Sequence, residues 1–378
     1  MKKLLSLLLA LTICVLCAGC GSNQSAPTTE APAEPATQAT TEAPAATAAP
    51  TQAPTTEAPT EAPTEAPTEP PVVYANPLTG EPLEAPLETR IFGVTIDNVS
   101  GALPHVNVSK ADLVFEMFIN DYATRLLALY SDVTTVDAIG AVRSMRINFA
   151  DIAQGYDAVI AHAGGSNYVL NRVAKSKIDH FNVDVSGNTY YAFRDKDRQS
   201  SGISRVHCLM AKGPGIYQMA EEKGMRVTQD PEKTYGMNFS VTPCPEDGQQ
   251  AELITITFNL HGHKKTSIMT YDGALGEYIF TQYGKKASTV KEKNLETFKN
   301  VFVLMASVKN QDVYHIADIL GSGEGYFACE GKMIPIQWIR ENEHDPFTFT
   351  LADGTPLEQG IGSSYVAIVP TTSTIAAE

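Results

Sequence analysis

The sequence predicts an α/β N-terminal domain, in which a mixed sheet packs with helices, followed by a smaller, mostly-β C-terminal domain. Between residues 90 and 228, short apolar runs alternate with segments whose apolar residues recur at helical spacing, which is typical of a sheet layered with helices. Beyond residue 229, apolar runs alternate with period two and are bounded by glycine-containing turns, as in hairpins. Neither pattern extends into residues 21–73, which are of low complexity.

The N-terminal domain, residues 74–228, is predicted to contain strands and three helices in alternation. The predicted strands cover residues 91–97, 112–119, 124–130, 157–162 and 190–194, and residues 136–142 form a short strand or turn. The predicted helices cover residues 144–156, 166–175 and 214–223. Ser166 is a suitable N-cap for the second helix, and Gly224 ends the third.

The C-terminal domain, residues 229–370, is predicted from its alternating apolar pattern to be built of strands. These cover residues 253–258, 267–271, 277–282, 301–306, 325–330, 333–340, 347–351 and 365–369. Asp353-Gly354 and Gly360-Ile361-Gly362 are turn signals between the last strands. Residues 371–378 are predicted to form a disordered tail.

Residues 1–20 are typical of a bacterial lipoprotein signal peptide. Lys2 and Lys3 precede a mostly apolar stretch that is too short to span a bilayer. Small residues then lead to Cys20, which resembles a lipobox, although Cys17 stands where an aliphatic residue is usual. We therefore expect the chain to be lipidated on Cys20 and held by that lipid at the outer face of the cell membrane. An ordinary secretory signal that is cleaved nearby is the alternative.

Residues 21–73 are rich in Thr, Ala, Pro and Glu and contain no Lys, Arg or aromatic residue. Such a segment cannot bury enough apolar surface to offset the entropy lost on ordering. Its prolines favour an extended chain, so some fifty residues at roughly 3.1 Å each could reach about 160 Å. We expect a disordered stalk that carries the folded part away from the membrane.

The formal net charge is −15 at pH 7, and without residues 1–73 the chain still has 26 basic and 36 acidic residues, a net charge of −10. This argues against nonspecific nucleic-acid binding. Cys208, Cys244 and Cys329 are too few and too far apart to form a disulfide framework. No Cys/His spacing in the sequence indicates a metal site, and no cofactor is predicted. His261 and His263 would need a third ligand to hold a metal, and they are interpreted as exposed residues of a turn.

The first candidate site is the segment of residues 140–146. If a helix begins here, Arg143 and Arg146 lie on one face near its N-terminus, where free N–H groups and the helix dipole favour an anion. Guanidinium groups also suit phosphate and carboxylate, and Arg125 adds a further cation near the start of a strand. Alternatively the arginines pair with carboxylates inside the protein, for which the candidates are Asp97, Glu116 and Asp151.

The second candidate site is the turn of residues 162–166, which follows a predicted strand and opens a helix. The carboxyl ends of strands are where open α/β sheets bind ligands. The predicted ligand-binding residues of this turn are His162, Gly164, Gly165 and Ser166, and Arg194 from a later strand joins them. Alternatively the turn is only a tight connection with a helix cap. A serine nucleophile at Ser144 or Ser166, assisted by His162 or His207, lacks the supporting GxSxG motif.

These stretches together resemble the YerB-like family of bacterial lipoproteins, a domain family of unknown function. In the N-terminal domain the resemblance is carried by residues 94–98, 111–116, 124–126, 139–146, 162–166 and 193–195. In the C-terminal domain it is carried by residues 300–303, 321–325, 336–338 and 360–370. The resemblance implies a lipoprotein with an α/β domain followed by a smaller β-rich domain, and it implies no established reaction.

Two functions are compatible with these residues. In the first, the protein binds an anionic, phosphate- or carboxylate-bearing cell-wall or peptide ligand through an arginine-rich cleft, whose cationic residues would be Arg125, Arg143, Arg146, His162 and Arg194. In the second, it is an enzyme acting on cell-envelope polymers or lipid-linked phosphates, with Asp97, Glu116 or His162 as acid, base or metal ligand. Because neither a nucleophile nor a metal set is complete, the sequence favours binding and leaves enzymatic activity open.

Overall fold

The computed structural model describes residues 74–185, 189–243, 247–286, 295–311 and 314–378. The predicted signal peptide with Cys20, the predicted stalk and Cys244 lie outside these ranges. The described residues form mostly strands with few helices. The longest of these helices have ten residues, and among the described residues no helix is long and apolar enough to cross a membrane.

The N-terminal part contributes ten strands and four α-helices. The strands are β1 (Tyr74–Ala75), β2 (Pro82–Leu83), β3 (Phe92–Asp97), β4 (Leu113–Asn120), β5 (Ala123–Tyr130), β6 (Ile139–Gly140), β7 (Val159–His162), β8 (His180–Asn182), β9 (Ala192–Arg194) and β10 (Leu209–Ala211). The α-helices are α1 (Ile147–Gly155), α2 (Asn167–Ser176), α3 (Lys196–Ser200) and α4 (Gly213–Glu222). Short 3-10 turns lie at Ser100–Ala102, Val108–Lys110, Val133–Thr135 and Arg205–His207.

The described C-terminal part is built of strands. They are β11 (Phe239–Ser240), β12 (Gln249–Gln250), β13 (Leu253–Leu260), β14 (His263–Asp272), β15 (Glu277–Gln282), β16 (Lys285–Lys286), β17 (Thr297–Phe298), β18 (Asn300–Ala306), β19 (Val308–Gln311), β20 (Tyr314–Ala317), β21 (Gly321–Cys329), β22 (Lys332–Arg340), β23 (Thr348–Thr350), β24 (Gln359–Gly360), β25 (Ser364–Pro370) and β26 (Thr374–Ala377).

One sheet of eleven strands joins the two parts. Its order is β12-β22-β21-β18-β25-β4-β5-β3-β7-β8, with β23 beside β22. Strand β25 lies between β18 and β4 and runs parallel to both, with Ser364 opposite Leu113. Every residue of β25 is buried, so this strand needs a neighbour on each side and a layer on each face. The two predicted domains therefore share a continuous sheet instead of each closing its own.

Each face of this sheet is covered by a different layer. Phe115 of β4 belongs to a core that includes Phe149 of α1 and Val169 of α2. On the opposite face lies a second sheet of order β16-β15-β14-β13-β26, with β17 beside β15. Its Phe258 packs edge-on against Phe118 of β4, with ring centroids 5.6 Å apart. Helices on one face and a second sheet on the other bury the main sheet on both sides.

Most of the predicted strands of the N-terminal part are present. β3, β4, β5 and β7 agree with the predicted ranges to within two residues. β3 is antiparallel to β5 and parallel to β7, so this portion of the sheet is mixed, as predicted. The helical content is smaller than the α/β prediction implied. Ser166 is the N-cap of α2, and its side chain accepts a hydrogen bond from the backbone N–H of Val169.

The prediction of a helix from residue 144 was wrong at its start. α1 begins at Ile147, and Arg146 is its N-cap with an extended backbone. The preceding residues bond to their neighbours instead, since the N–H of Arg143 donates to the carbonyl of Thr95 and its carbonyl accepts from Ala163. Arg143 and Arg146 therefore precede the helix and do not share one of its faces.

The prediction of a disordered tail was also wrong. Residues Thr374–Ala377 form β26, which pairs antiparallel with β13 and places Ala377 opposite Ile254. Ile375 and Ala377 alternate along β26 and pack against the core between the two sheets. The tail is ordered because it covers the edge of β13 and buries apolar side chains, a short alternating pattern that is easily missed near a chain end.

Candidate functional site

The two candidate segments meet at one edge of the main sheet. β3 and β7 are parallel neighbours, so their carboxyl ends lie side by side. The turn of residues 162–166 continues from β7. The segment of residues 140–146 lies beside the end of β3, where Val142 pairs antiparallel with Ile96. The carbonyl of Arg143 accepts from the N–H of Ala163 at 2.9 Å, and the hydroxyl of Ser144 donates to the carbonyl of Ala163 at 3.0 Å. These bonds hold both segments together as one surface.

Three arginines gather at this edge, and we call Arg125, Arg143 and Arg146 the arginine cluster. Arg125 on β5 is only 3% exposed and stands opposite Asp97 of β3 in the strand register. Its guanidinium donates from Nη1 to the carbonyl of Ser144 at 2.5 Å. Burial and then the positive charge of Arg146 lower the pKa of Arg125 to about 9, with a further contribution from Arg143, while Asp97 opposes them. The charges of Arg146 and Arg143 are therefore close enough to act on this buried guanidinium.

Asp97 is the buried carboxylate of this region, with 1% of its surface exposed. Its Oδ2 lies 2.9 Å from Nε of Arg143 and accepts a hydrogen bond from Nδ1 of His207 at 2.7 Å. Because a carboxylate only accepts, His207 carries its proton on Nδ1 and keeps Nε2 as an acceptor when neutral. An Asp–His pair thus lies beside the arginines.

The surface above the arginine cluster is partly open. The side chain of Arg143 is 32% exposed, and Ser144 and Arg146 are half-buried. Arg146 also donates from Nη1 to the carbonyl of Met145 at 3.0 Å. Gly164 has φ +74°, and no described atom lies within 4 Å of the position that a Cβ would occupy there. Another molecule could therefore approach the backbone of this turn.

The predicted ligand residue His162 does not face this surface, and that part of the prediction was wrong. Its side chain points inward and is only 1% exposed. Nδ1 donates to the carbonyl of Gly164 at 2.8 Å, so Nε2 accepts from Nδ1 of His180 at 3.0 Å. Burial, followed by the charge of His180, lowers the pKa of His162 to about 4. His162 is neutral at pH 7 and positions the turn.

Gly165 and Ser166 have local structural roles. A Cβ on Gly165 would come within 3.2 Å of Leu170, so glycine allows the turn to lie close to α2. The hydroxyl of Ser166 caps α2 at 3.3 Å from the N–H of Val169. For these two residues, the observed contacts match the alternative of a tight turn with a helix cap.

Arg194 lies apart from the arginine cluster, contrary to the single cleft expected. Its Nη2 is 2.6 Å from a carboxylate oxygen of Asp184, and its Nη1 donates to the carbonyl of Arg205 at 3.0 Å. It lines a cavity of about 590 Å³ together with Arg205 and Lys196, and no member of the arginine cluster lines that cavity. The five predicted cations therefore occupy three different environments.

A buried polar network behind the site was not predicted, and we call it the Glu116–Lys265 network. Glu116 on β4 is fully buried, and Nζ of Lys265 on β14 lies 2.5 Å from its Oε1. Its carboxylate also accepts hydrogen bonds from four other buried side chains, which are Asn98, Thr124, Ser267 and Tyr365. Burial alone would raise the pKa of Glu116, but Lys265 and the hydroxyls of Thr124 and Tyr365 hold it below its usual value.

The network has a recognisable signal in the sequence. Glu116 interrupts an otherwise apolar strand, and Lys265 occupies an inward position of the alternating strand β14. A charged residue at a buried position of a strand needs a partner of opposite charge. The sequence does not reveal which partner, because Lys265 follows Glu116 by 149 residues.

Comparison with known proteins identifies the family. Residues 78–226 match the "Protein of unknown function (DUF3048) N-terminal domain", and residues 254–366 match the corresponding C-terminal domain. The protein named "Putative lipoprotein YerB" of Bacillus subtilis (strain 168) is 24% identical over 299 residues, which cover 78% of this chain and 86% of that protein. The crystal structure of YerB from Bacillus subtilis matches with a TM-score of 0.68 over 80% of this chain and 99% of that chain, at 24% identity. The matched domains follow one another in the order expected from the sequence, and the chain belongs to the YerB-like family of proteins of unknown function.

Proposed function

We propose that this protein is a lipoprotein held at the outer face of the cell membrane through Cys20, and that its arginine cluster binds an anionic group of an envelope ligand or partner. The lipid anchor is supported by the signal-like residues 1–20 and by the name of the Bacillus subtilis relative. The observation that carries the binding proposal is the surplus of positive charge where β3 and β7 end.

The surplus is apparent in the surroundings of Arg125. The hydrogen-bond acceptor for its Nη1 is a neutral carbonyl, and its buried Nε has no hydrogen-bond partner among the described residues. The nearest carboxylate, that of Asp97, contacts Arg143 and His207. A cation removed from water is costly unless a negative group compensates it. An anion bound at this edge would provide that compensation.

The exposure of the arginine cluster indicates how the anion is presented. Arg143 and Arg146 reach the surface, whereas Arg125 lies behind them. Guanidinium groups bind phosphate and carboxylate oxygens through pairs of parallel hydrogen bonds. A half-exposed pair of this kind suits a phosphate or carboxylate carried on a larger molecule, such as a wall polymer or a peptide. The open space over Gly164 would accommodate the adjoining part of that molecule.

The test is a binding titration with the full-length protein purified in detergent. Phosphate-bearing wall fragments would be compared with the same fragments after removal of their phosphates. We expect the first to bind and Arg143→Ala with Arg146→Ala to weaken binding about 100-fold, since each charge-assisted hydrogen bond contributes about 1.5–3 kcal/mol. Arg194→Ala with Arg205→Ala removes the same charge elsewhere and should leave affinity unchanged. Absent binding, or equal loss in both double variants, would contradict the proposal.

A second candidate, an enzyme acting on lipid-linked phosphates, is favoured by the pairing of Asp97 with His207. The carboxylate of Asp97 accepts from Nδ1 of His207 and orients the ring, so that Nε2 can accept a proton as a general base. Glu116 and His162, the other acid–base candidates, are buried with their polar atoms engaged. If the wild-type protein hydrolyses such substrates, His207→Gln should lower the rate at least about 100-fold. Turnover that survives this change would exclude His207 as the base.

A further inference from the structure

A separate group of side chains brings three metal-ligating atoms together, and we call Asp121, His261 and His315 the Asp121 cluster. Their ligand atoms all lie within 4.8 Å of one another. Asp121 lies in the turn between β4 and β5, His261 in the turn between β13 and β14, and His315 on β20. Three segments far apart in the sequence thus converge on one point.

The spacing within the cluster is close to that of a coordination sphere. Oδ1 of Asp121 lies 3.0 Å from Nδ1 of His261 and 3.0 Å from Nε2 of His315. Zinc ligands at about 2.0–2.1 Å from a tetrahedral ion lie about 3.3 Å from one another. The two distances from Asp121 are a few tenths of an ångström shorter than this separation, and the ligand atoms of the two histidines lie within 4.8 Å of each other. The side chains of Asp121 and His261 are 34% and 47% exposed, so an ion can reach them from solvent.

Asn310 supplies an independent indication of a cation. Its Nδ2 lies 3.1 Å from Nε2 of His261, and its Oδ1 lies 2.7 Å from Nδ1 of His315. A side-chain amide donates at its nitrogen and accepts at its oxygen. His315 must then carry a proton on Nδ1, which leaves a lone pair on Nε2 that faces the carboxylate of Asp121 when the ring is neutral.

Two acceptors, Nε2 of His315 and the carboxylate of Asp121, therefore face each other. If the amide of Asn310 is flipped, so that its oxygen and nitrogen exchange places, one such pair of acceptors remains. The roles of the two histidines are exchanged, and a lone pair on Nδ1 of His261 then faces the same carboxylate oxygen. With two neutral rings, one pair of acceptors always stands at 3.0 Å. Two acceptors at that distance repel each other unless a cation, either a metal ion or a proton on the ring, lies between them. A metal ion bound by both rings leaves their protons on the outer nitrogens, Nε2 of His261 and Nδ1 of His315. Asn310 can accept from only one of these, so its amide group must turn away from the other ring when the ion binds.

We propose that Asp121, His261 and His315 bind a divalent transition metal, with zinc as the first choice and Asn310 as the outer hydrogen-bond partner. Imidazole nitrogens suit zinc, and histidine ligands usually donate their other N–H to a fixed acceptor, which Asn310 provides for His315. Three protein ligands leave a fourth position for water or for a donor atom of a bound molecule. The ion would join a turn of the N-terminal part to two segments of the C-terminal part.

The test is a calorimetric titration of zinc chloride into the full-length protein, purified in detergent and stripped of metal with a chelator. We expect one zinc ion per chain with an affinity of roughly micromolar or tighter, and a higher Tm when zinc is bound. His261→Ala and Asp121→Asn should abolish this binding and the rise in Tm, since each removes one of three protein ligands. The exposed His344 lies outside the cluster, so His344→Ala is the matched control and should bind as wild type does.

Two results would overturn the metal site. Zinc uptake that is equal in wild type and in His261→Ala would place the ion elsewhere, for example on a cysteine, and cobalt would then give the intense near-ultraviolet absorption of a thiolate complex. Absence of uptake by the wild type, with one histidine ring of the pair found protonated by NMR near neutral pH, would show that the cation is a proton. His261 lies in an exposed turn, so its substitution should leave folding intact, and unchanged circular dichroism would verify this.

Discussion

The arginine cluster and the Glu116–Lys265 network both include residues of the main sheet, but they differ in whether positive and negative charges are balanced. In the network, one buried carboxylate meets one buried ammonium group, and five side chains donate to Glu116. In the arginine cluster, Arg143 contacts Asp97 and Arg125 stands opposite it, while Arg143 and Arg146 reach the surface. A matched set of buried charges holds the two sheets in one arrangement. Under the proposed function, the arginine cluster instead binds an anionic group from another molecule.

The largest effect that would test this contrast is the loss of Lys265. We expect Lys265→Met to lower the free energy of unfolding by about 3–5 kcal/mol, because it leaves the charge of Glu116 buried and uncompensated. The measurement is denaturant unfolding followed by circular dichroism. Combining it with Glu116→Leu should restore most of the loss, since a buried pair can be replaced by apolar side chains. A loss below about 1 kcal/mol for Lys265→Met would mean that the network is not a matched structural unit.

The next effect is the pH dependence that His162 confers. Its pKa is lowered from 6.5 to about 4 by burial, so the unfolded chain binds a proton that the folded chain excludes. This contribution to stability is complete above pH 6.5 and is lost as the pH falls from 6.5 to 4. The loss amounts to about 3 kcal/mol, and His162→Gln should flatten the curve over that interval. Identical pH profiles for variant and wild type would show that His162 is not held neutral.

A smaller effect, with the opposite sign, is expected at Arg125. Replacing this buried cation by Met should leave stability unchanged or raise the free energy of unfolding by about 1 kcal/mol, because a charge without its own carboxylate is removed. The same change should weaken binding of phosphate-bearing wall fragments about tenfold. Arg125→Lys retains the charge and serves as the control. If Arg125→Met destabilises the protein as strongly as Lys265→Met, the arginine cluster is structural like the network.

The smallest effect is expected at Arg194. Its partner Asp184 is 47% exposed, so the ion pair is weakened by solvent. Arg194→Ala should change the free energy of unfolding by about 0.2–1 kcal/mol and leave anion binding unaffected. A clear loss of affinity would show that the cavity around Arg194 belongs to the binding site after all.

Local features of the fold could be predicted from the sequence, and distant pairings could not. β3, β4 and the N-cap at Ser166 depend on patterns within a few residues, so they were predictable. The pairing of β25 with β4 depends on a register between segments about 250 residues apart, for which one sequence gives no signal. The two predicted domains were therefore not recognised as sharing a sheet.

In the candidate site, too, local features could be predicted from the sequence and distant pairings could not. The sequence predicted one cleft containing Arg143, Arg146 and the turn at Gly164, and the carbonyl of Arg143 accepts a hydrogen bond from the N–H of Ala163 in that turn. It did not indicate that His162 turns inward, since its partner His180 lies on the adjacent parallel strand β8. The lysine that matches Glu116 could not be chosen either, because many lysines have the same local pattern.

The position of β25 has a consequence for how the newly made chain reaches its native state. The strand that fills the middle of the main sheet, β25, is synthesised about 250 residues after its neighbour β4. Until β25 arrives, one apolar edge of β4 is open to pairing with other chains, which is a route to aggregation. A chain that stops before Ser364 should therefore aggregate rather than fold as a smaller domain, and completion of the main sheet waits for the synthesis of β25.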